Sequence, residues 1–455
     1  MKIWETEDSR SHNELKDLVE EFTSSRDLQY DQQLLPYDIL GSIAHVRTLE
    51  KAGVLTSSES SELREVLAGM LREDIDVSPG DEDVHSKVES VLISRLGDLG
   101  KKVHTGRSRN DQVLVDIRLF TKEALHEYAL LALDLAQELL VVAREHSETP
   151  MVGYTHMRKA MPSSVGLWAC SYLEGILDDL KAVNCSYTLS DQSPLGAAAG
   201  YGVPLELDRE FSADLLGFAS VQRNTLAAMN SRGKFEFNLL SSLGLTQLDL
   251  SRFAQDLILF SGDEMGFFSL PDEFTTGSSI MPQKANPDVL ELIRGRTSEM
   301  LGAINQTYGM LTGLPSGYSR DLQPTKKILM EGLSLVKSCL EVAVPLVSNL
   351  EVNEDNLVGS FRESVFATDS ALKKVREGKP FRAAYREVKS DLQSGDTDQA
   401  EDPSRITEAI RQRSHLGGPG NLGLEWYQEE IDRMREEWQT REKVFKDTMQ
   451  DLVQI

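Results

Sequence analysis

The feature that most constrains what this chain can fold into is where it lacks proline. None occurs between Pro79 and Pro150, Pro204 and Pro271, Pro287 and Pro315, or Pro345 and Pro380. An interior proline removes a backbone donor and clashes with the preceding helical turn, so long gaps rich in Leu, Ala, Glu, Lys and Gln are where long helices form. Within the first gap, Val113, Ile117, Phe120, Ala124, Tyr128, Leu131, Leu135 and Val142 recur at helical steps, and the apolar stripe runs on to His146. Phe235 to Phe260 behaves in the same way. The pattern predicts a mainly α protein built on a bundle of several long helices. No alternating strand pattern of comparable length, no Gly-rich dinucleotide fingerprint and no internal repeat is visible.

Composition divides the chain into three segments. Residues 1–106 hold shorter helical pieces broken by Ser, Gly and Asp, as in SSRDLQYDQQLLPYD and DVSPGDEDVH; 107–352 carry the long stripes; 353–455 turn strongly charged, with SGDTDQAEDPS reading as an exposed loop. With 455 residues the chain can bury a large core without staples. Cys170, Cys185 and Cys339 are odd in number and widely spaced, which argues against a disulfide framework or a zinc site and for a reducing, cytoplasmic setting. The N-terminus is polar and acidic, and no segment approaches the roughly 20 apolar residues of a membrane span. A formal charge of -25 repels nucleic acid and anionic membranes, so neither is an expected partner. Against that field, local groups of Arg and Lys beside hydroxyls and His stand out as places for a small anion.

Four such groups interrupt the helices. HTGRSRNDQ (104–112) sets Arg107 and Arg109 with Ser108 and Asn110 before a long helix, an arrangement suited to a carboxylate or to a solvated cap. GYTHMRKAM (153–161) places Thr155 and His156 ahead of another apolar helix, and a histidine is the default proton handler near neutrality. TGSSIMPQKANPD (276–288) ends with Asn286 as a helix N-cap, Pro287 at the first helical position and Asp288 complementing the dipole. Ser278, Ser279, Gln283 and Lys284 are left to face a ligand, with Glu291 about one turn into the helix. LPSGYSRDLQPTKK (314–327) strings together Tyr318, Arg320, Gln323 and Lys326, and at helical spacing Gln323 and Lys326 share a face. A lesser group is Asn230, Ser231 and Arg232.

In this order the four groups resemble those of the argininosuccinate lyases, within the fumarase/aspartase superfamily of elimination enzymes. GSSIMPQKANP carries the superfamily likeness, while HTGRSRNDQ and the Gln of MPQK point to the argininosuccinate branch. The likeness extends to DQQLLPYDILGSIAHVRTLEKAGVL, DEDVHSKVES, DQSPLGAAAGYG, ATDSALKKVREGKPFRAAYREV and RSHLGGPGNL, so it spans nearly the whole chain. Departures from the family pattern are visible. The WGGRF-like opening is replaced by MKIWETEDSRSHNELKD, Ala285 stands where a second lysine is usual, and Arg158 stands where glutamine often follows the histidine. Ala227 and Gly233 also occupy positions where the family often has aspartate.

The resemblance implies a three-domain fold whose central helices form a twenty-helix core in a homotetramer, with each active site drawn from three subunits. It implies reversible cleavage of argininosuccinate to arginine and fumarate, in arginine biosynthesis, without a metal or organic cofactor. The eight histidines show no ligand-like spacing, in keeping with this. Carried over position by position, Ser278 is implied as general base, activated by Lys284 and loop closure. His156, paired with Glu291, is implied as general acid or orienting partner; which of Ser278 and His156 takes the proton stays open at this point. Ser108, Arg109, Asn110, Thr155, Gln283, Tyr318, Gln323 and Lys326 are implied to bind substrate, with Arg232 and His85 in support and Asp31 holding the cationic arginine end. The alternatives are a sister lyase that releases fumarate from adenylosuccinate, aspartate or malate, and an inactive crystallin-like packing role.

Overall fold

Three of the four proline-free stretches carry long helices in the computed structural model of the protein, which describes residues 18–19, 21–25, 27–78, 80–394 and 402–454; the stretch from Pro345 to Pro380 holds only short helices, Glu354–Gly359 and Ala367–Arg376, beyond the end of one long helix. The opening MKIWETEDSRSHNELKD and the centre of the SGDTDQAEDPS loop lie outside the described residues. The fold is mainly α. Helix α1 (Leu28–Lys51), α2 (Ser57–Met70) and α3 (Val84–Leu96) make up the N-terminal part. The bundle follows: α4 (Arg109–Glu145), α5 (Val165–Ser190), α6 (Lys234–Phe260), α7 (Asp288–Leu311) and α8 (Thr325–Ser348). After it come α9 (Ala367–Arg376), α10 (Phe381–Ser394), α11 (Pro403–Arg411) and α12 (Leu424–Val453).

Helix α4 is the spine. Its 37 residues span about 55 Å at 1.5 Å per residue. Ser108 and Asp111 close a capping box at its start, so two backbone donors that the helix would leave unpaired are satisfied reciprocally. Helices α1, α5, α8 and α12 pack along it, and α6 packs against α5, α7 and α8. One continuous apolar core runs through these helices, including Val113, Ile117, Tyr128 and Leu135 of the stripe legible in the sequence.

Two prolines depart from the sequence expectation. Pro36 lies inside α1 and Pro345 inside the last turn of α8. The stretch around Pro36 reads as broken pieces in the sequence, yet α1 runs unbroken from Leu28. Its lining explains this: Leu34, Leu35, Ile39, Leu40 and Ile43 are all buried, and burying such side chains at about 1.5–3 kcal/mol each offsets the roughly 3 kcal/mol that an interior proline costs.

Strands are few but well placed. β1 (Pro150–Thr155) and β2 (Arg158–Ser164) form an antiparallel hairpin over the GYTHMRKAM group, where the sequence shows no strand pattern of helical-stripe length. Thr155 and His156 therefore do not lead directly into a helix; α5 starts at Val165 with Ser164 as its N-cap. Two-residue pairs follow: β3 (Gln192–Ser193) with β4 (Ser220–Val221), β5 (Phe268–Ser269) with β8 (Glu351–Val352), and β6 (Thr276–Gly277) with β7 (Ala285–Asn286).

Among the described residues, no helix is long and apolar enough to cross a membrane. Within the bundle, burial pushes the Asp179 carboxyl up to about 7, with the neighbouring Asp249 charge adding and the Thr246 hydroxyl opposing. A folded-state value above the unfolded one near 4 means the folded chain holds a proton the unfolded chain has released, so this group costs stability as pH rises from about 4 to about 7. Asp179→Asn is therefore expected to raise the melting temperature at pH 8, with the gain shrinking toward pH 5. A gain that is constant across that range would rule out titration of Asp179 as its source.

Candidate active site

A cavity of about 250 Å³ opens where the N-terminal helices meet the bundle. Asp27 and Asp31 come from the start of α1, Glu82, Asp83 and His85 from the approach to α3, and Arg109, Asn110 and Val113 from the start of α4. Arg232 precedes α6, while Tyr318, Arg320, Gln323 and Lys326 lead into α8. The fold thus brings eight residues named from the sequence to one place: Asp31, His85, Arg109, Asn110, Arg232, Tyr318, Gln323 and Lys326.

The wall alternates in charge. Arg109 Nη1 lies 2.6 Å from Glu82 Oε2 and 3.0 Å from Asp83 Oδ2, and its Nη2 donates to Ser86 Oγ at 3.0 Å. Lys326 Nζ donates to Asp31 Oδ1 and sits 3.5 Å from Asp27 Oδ2. Burial pushes the Asp31 carboxyl up while the Lys326 ammonium pulls it down. Arg232 stacks 5.1 Å from the centre of the Tyr318 ring. Gln323 Nε2 donates to the Thr23 carbonyl at 2.9 Å, and Arg320 Nε donates to Gln323 Oε1 at 2.9 Å, fixing this wall beside the N-terminal segment.

Lys326 and Asp31 are 5% and 2% exposed, so the pair is cut off from water. Removing one partner from such a pair leaves a buried charge uncompensated, at about 3–5 kcal/mol. Lys326→Met is expected to lower unfolding stability by that amount, and the double variant with Asp31→Asn by less. Equal losses in urea unfolding would contradict this coupling.

Behind the wall, His85 Nδ1 donates to Asp38 Oδ1 at 2.8 Å and lies 3.6 Å from Asp116 Oδ2. Burial pushes the imidazole down, but Asp38, Asp83 and Asp31 outweigh it and hold its pKa above the usual value. Burial raises the Asp116 carboxyl well above the carboxylate range, and the Asp38 charge adds to it. Asp38, His85 and Asp116 come from three helices with donor atoms within 4.8 Å of one another, a grouping that could hold a cation. Linear spacing hides it, since positions 38, 85 and 116 share no motif.

Two residues of HTGRSRNDQ turn away from the cavity. Arg107 points into the core, where its Nη1 donates to Ser42 Oγ at 2.9 Å, instead of joining Arg109. Ser108 Oγ is engaged as the α4 cap and does not line the cavity. Asp111 anchors the group from below: its Oδ1 accepts from Ser108 N at 2.9 Å, and its Oδ2 accepts from Gly196 N at 3.0 Å and Ala198 N at 2.8 Å. The DQSPLGAAAGYG turn is thereby tied to the start of α4. Burial lifts the Asp111 carboxyl to about 6 even against these donors.

The remaining sequence candidates sit elsewhere and face outward. Thr155 and His156 lie at the tip of the β1–β2 hairpin, where Thr155 pairs with Arg158 across a two-residue turn. His156 and Met157 both have positive φ, 54° and 58°, a conformation that costs a side-chain-bearing residue of order 1 kcal/mol or more. Such a turn matches the twist of the strands and aims His156 away from the hairpin. Ser278, Gln283 and Lys284 lie on the loop pinched between β6 and β7, and Glu291 is exposed on α7. The pairing of Thr276 with Asn286 holds Asn286 extended, so Pro287, not Asn286, occupies the helix-capping position. Thr276 Oγ1 donates to Asp288 Oδ2, closing the loop at its base. Just past this base Ser278 Oγ accepts from Met281 N at 3.2 Å and from Ile280 N at 3.4 Å.

Asp27, Glu82 and Asp83 were not among the sequence candidates for the cavity, and Arg320 was named in its group without a substrate-binding role. A signal existed for Asp27, which stands one helical turn before Asp31. It adopts helical dihedrals at the start of α1 and makes no side-chain cap, which leaves its carboxylate to the cavity.

A lyase family, described simply as Lyase, matches residues 10–302. Argininosuccinate lyase from Sorangium cellulosum is 45% identical over 423 residues, covering 90% of this chain and 95% of its own length. The enzyme of that name from Thermotoga neapolitana is 42% identical over 374 residues, covering 81% and 94%. Among solved structures, EDDS lyase in complex with formate superposes with a TM-score of 0.82 at 22% identity, covering 96% of this chain and 94% of that one. Class II fumarase from Schistosoma mansoni gives 0.68 at 18% identity, covering 89% and 90%, and both likenesses bear on the fold alone. The chain belongs to the argininosuccinate lyase family of the fumarase/aspartase superfamily.

Proposed function

We propose that this protein cleaves argininosuccinate to arginine and fumarate in arginine biosynthesis. The observation that carries this reading is that its curated relatives, matched over nearly the full chain, are argininosuccinate lyases. The cavity supports it chemically. A wall carrying both carboxylates and cations suits a substrate with an ammonium and several carboxylates: Asp31 and Asp27 face the cationic amino-acid end, and Arg109, Arg232, Arg320 and Lys326 face anions.

In this reading the proton leaves a carbon beside a carboxylate, giving a dianionic aci-carboxylate that fixed donors must stabilise. Ser278 Oγ takes that proton. The amides of Ile280 and Met281 point at this oxygen and favour its anionic form, and Lys284 adds a positive charge from the same loop. His156, with Glu291, protonates the departing guanidino nitrogen. Thr155 and Gln283 bind the substrate from the same hairpin and loop, and Asn110 contributes from the start of α4.

The working unit is a homotetramer in the cytoplasm, with the cavity of one subunit completed by the hairpin and the loop of others. Exposed leucines and a tyrosine on the long bundle helices support this: Leu245, Leu248, Leu292, Leu301 and Tyr308 are 47–62% exposed, an apolar surface of the kind that subunits cover. Light scattering is expected to give about four times the 50.7 kDa chain mass. The deciding test is an assay with argininosuccinate, in which arginine and fumarate absorbance appear together. Turnover of adenylosuccinate, aspartate or malate without any of argininosuccinate would replace this function with that of a sister lyase.

A further inference from the structure

We infer that the lobe between Glu354 and Arg411 is the clamp that sets the position of His156, acting through Val152 and Lys159. This rests on the proposed catalytic role of His156. The hairpin that carries His156 is not seated mainly on the helical bundle. Val152 of β1 is 0% exposed and belongs to an apolar cluster separate from the main core, made otherwise by Phe361, Val365, Phe366, Ile406, Ala409 and Ile410. The hairpin thus supplies a side chain to the core of the C-terminal lobe.

Three further observations point the same way. Lys159 Nζ on β2 donates to the Ser360 carbonyl at 2.5 Å, tying the second strand to the same lobe. The register slips between Gly153 and Tyr154, so Ala160 is left without an opposite residue, and a bulge of this kind re-aims the strand beyond it. Tyr154 packs against both clusters and its ring lies 6.3 Å from that of Phe260, so it is the pivot between lobe and bundle.

The consequence is that His156 moves with the C-terminal lobe, while the cavity walls move with the bundle and the N-terminal helices. Val152 and Lys159 are positioning residues: neither lines the cavity. Loosening the clamp is expected to cost turnover far more than binding, which the cavity walls mainly supply with Thr155 adding one contact from the hairpin, because a proton donor displaced by about 1 Å loses on the order of 100-fold in rate.

The test uses the full-length protein. Val152→Ala is expected to lower kcat for argininosuccinate at least ~10-fold with KM within ~2-fold, while Val152→Ile retains kcat. Lys159→Met, at an exposed position, is expected to lower kcat several-fold and carries the test if Val152→Ala fails to fold. The imidazole NMR signal of His156 is expected to shift or broaden in both variants while that of His85 stays fixed. Unchanged kcat and an unmoved His156 signal in folded variants would overturn the clamp, as would an equal loss of arginine binding. Wild-type protein inactive on argininosuccinate would fail the proposed function instead, and the NMR comparison would still decide the clamp.

Discussion

Ser278→Ala is expected to lower kcat by at least ~100-fold, about 2.7 kcal/mol of barrier, with the subunit assembly unchanged. The side chain sits at the start of a loop, directly after the strand pair that holds its base. The pairing of Thr276 with Asn286 and of Gly277 with Ala285, and the Thr276–Asp288 hydrogen bond, hold the base of the loop without it. Removing Oγ therefore deletes the proton acceptor and the oxygen that Ile280 N and Met281 N address, while the backbone keeps its path. Solvent deuterium exchange at the succinyl carbon separates the roles. A variant without its base stops exchanging, whereas one without its acid still exchanges but does not release fumarate. Near-normal turnover by Ser278→Ala would reject serine as the base.

His156→Asn is expected to lose a comparable ~100-fold, because protonation of the leaving nitrogen becomes limiting, while exchange at carbon continues. The hairpin strands, and with them the lobe, are untouched by the change at the exposed tip. The stronger prediction concerns mixtures. In this chain His156, Ser278 and the cavity lie on separate elements, and neither His156 nor Ser278 lines the cavity. If subunits share sites, co-assembled Ser278→Ala and His156→Asn chains regain activity, with roughly one site in four drawing both intact groups by random assortment. Complete absence of recovery after confirmed subunit exchange would show that the two groups serve a site from one chain.

Local physics made much of this legible in advance. The stripe from Val113 to Val142 became α4 because its apolar period matches 3.6 residues per turn over many turns, a signal no single contact reverses. Arg109, Asn110, Tyr318, Gln323 and Lys326 were named through the family resemblance of their contiguous motifs, and the fold brings all five to the cavity. Arg107 was misread as a partner of Arg109. Two residues apart before a helix they point to different sides, and only packing against Ser42 decides which side is the core. Pro36 misled in the same way, since propensity is local and the burial that overrides it is not.

The sequence by itself determined the helical class and the family, because each is written in local periodicity or contiguous motifs. Only the tertiary structure decided that Asp27, Glu82, Asp83 and Arg320 join the cavity, that Asp38, His85 and Asp116 meet behind it, and that Val152 of the hairpin carrying His156 packs into the C-terminal lobe. Those outcomes depend on contacts between elements tens to hundreds of residues apart, and such contacts are set by which faces pack together and not by any stretch of neighbouring residues.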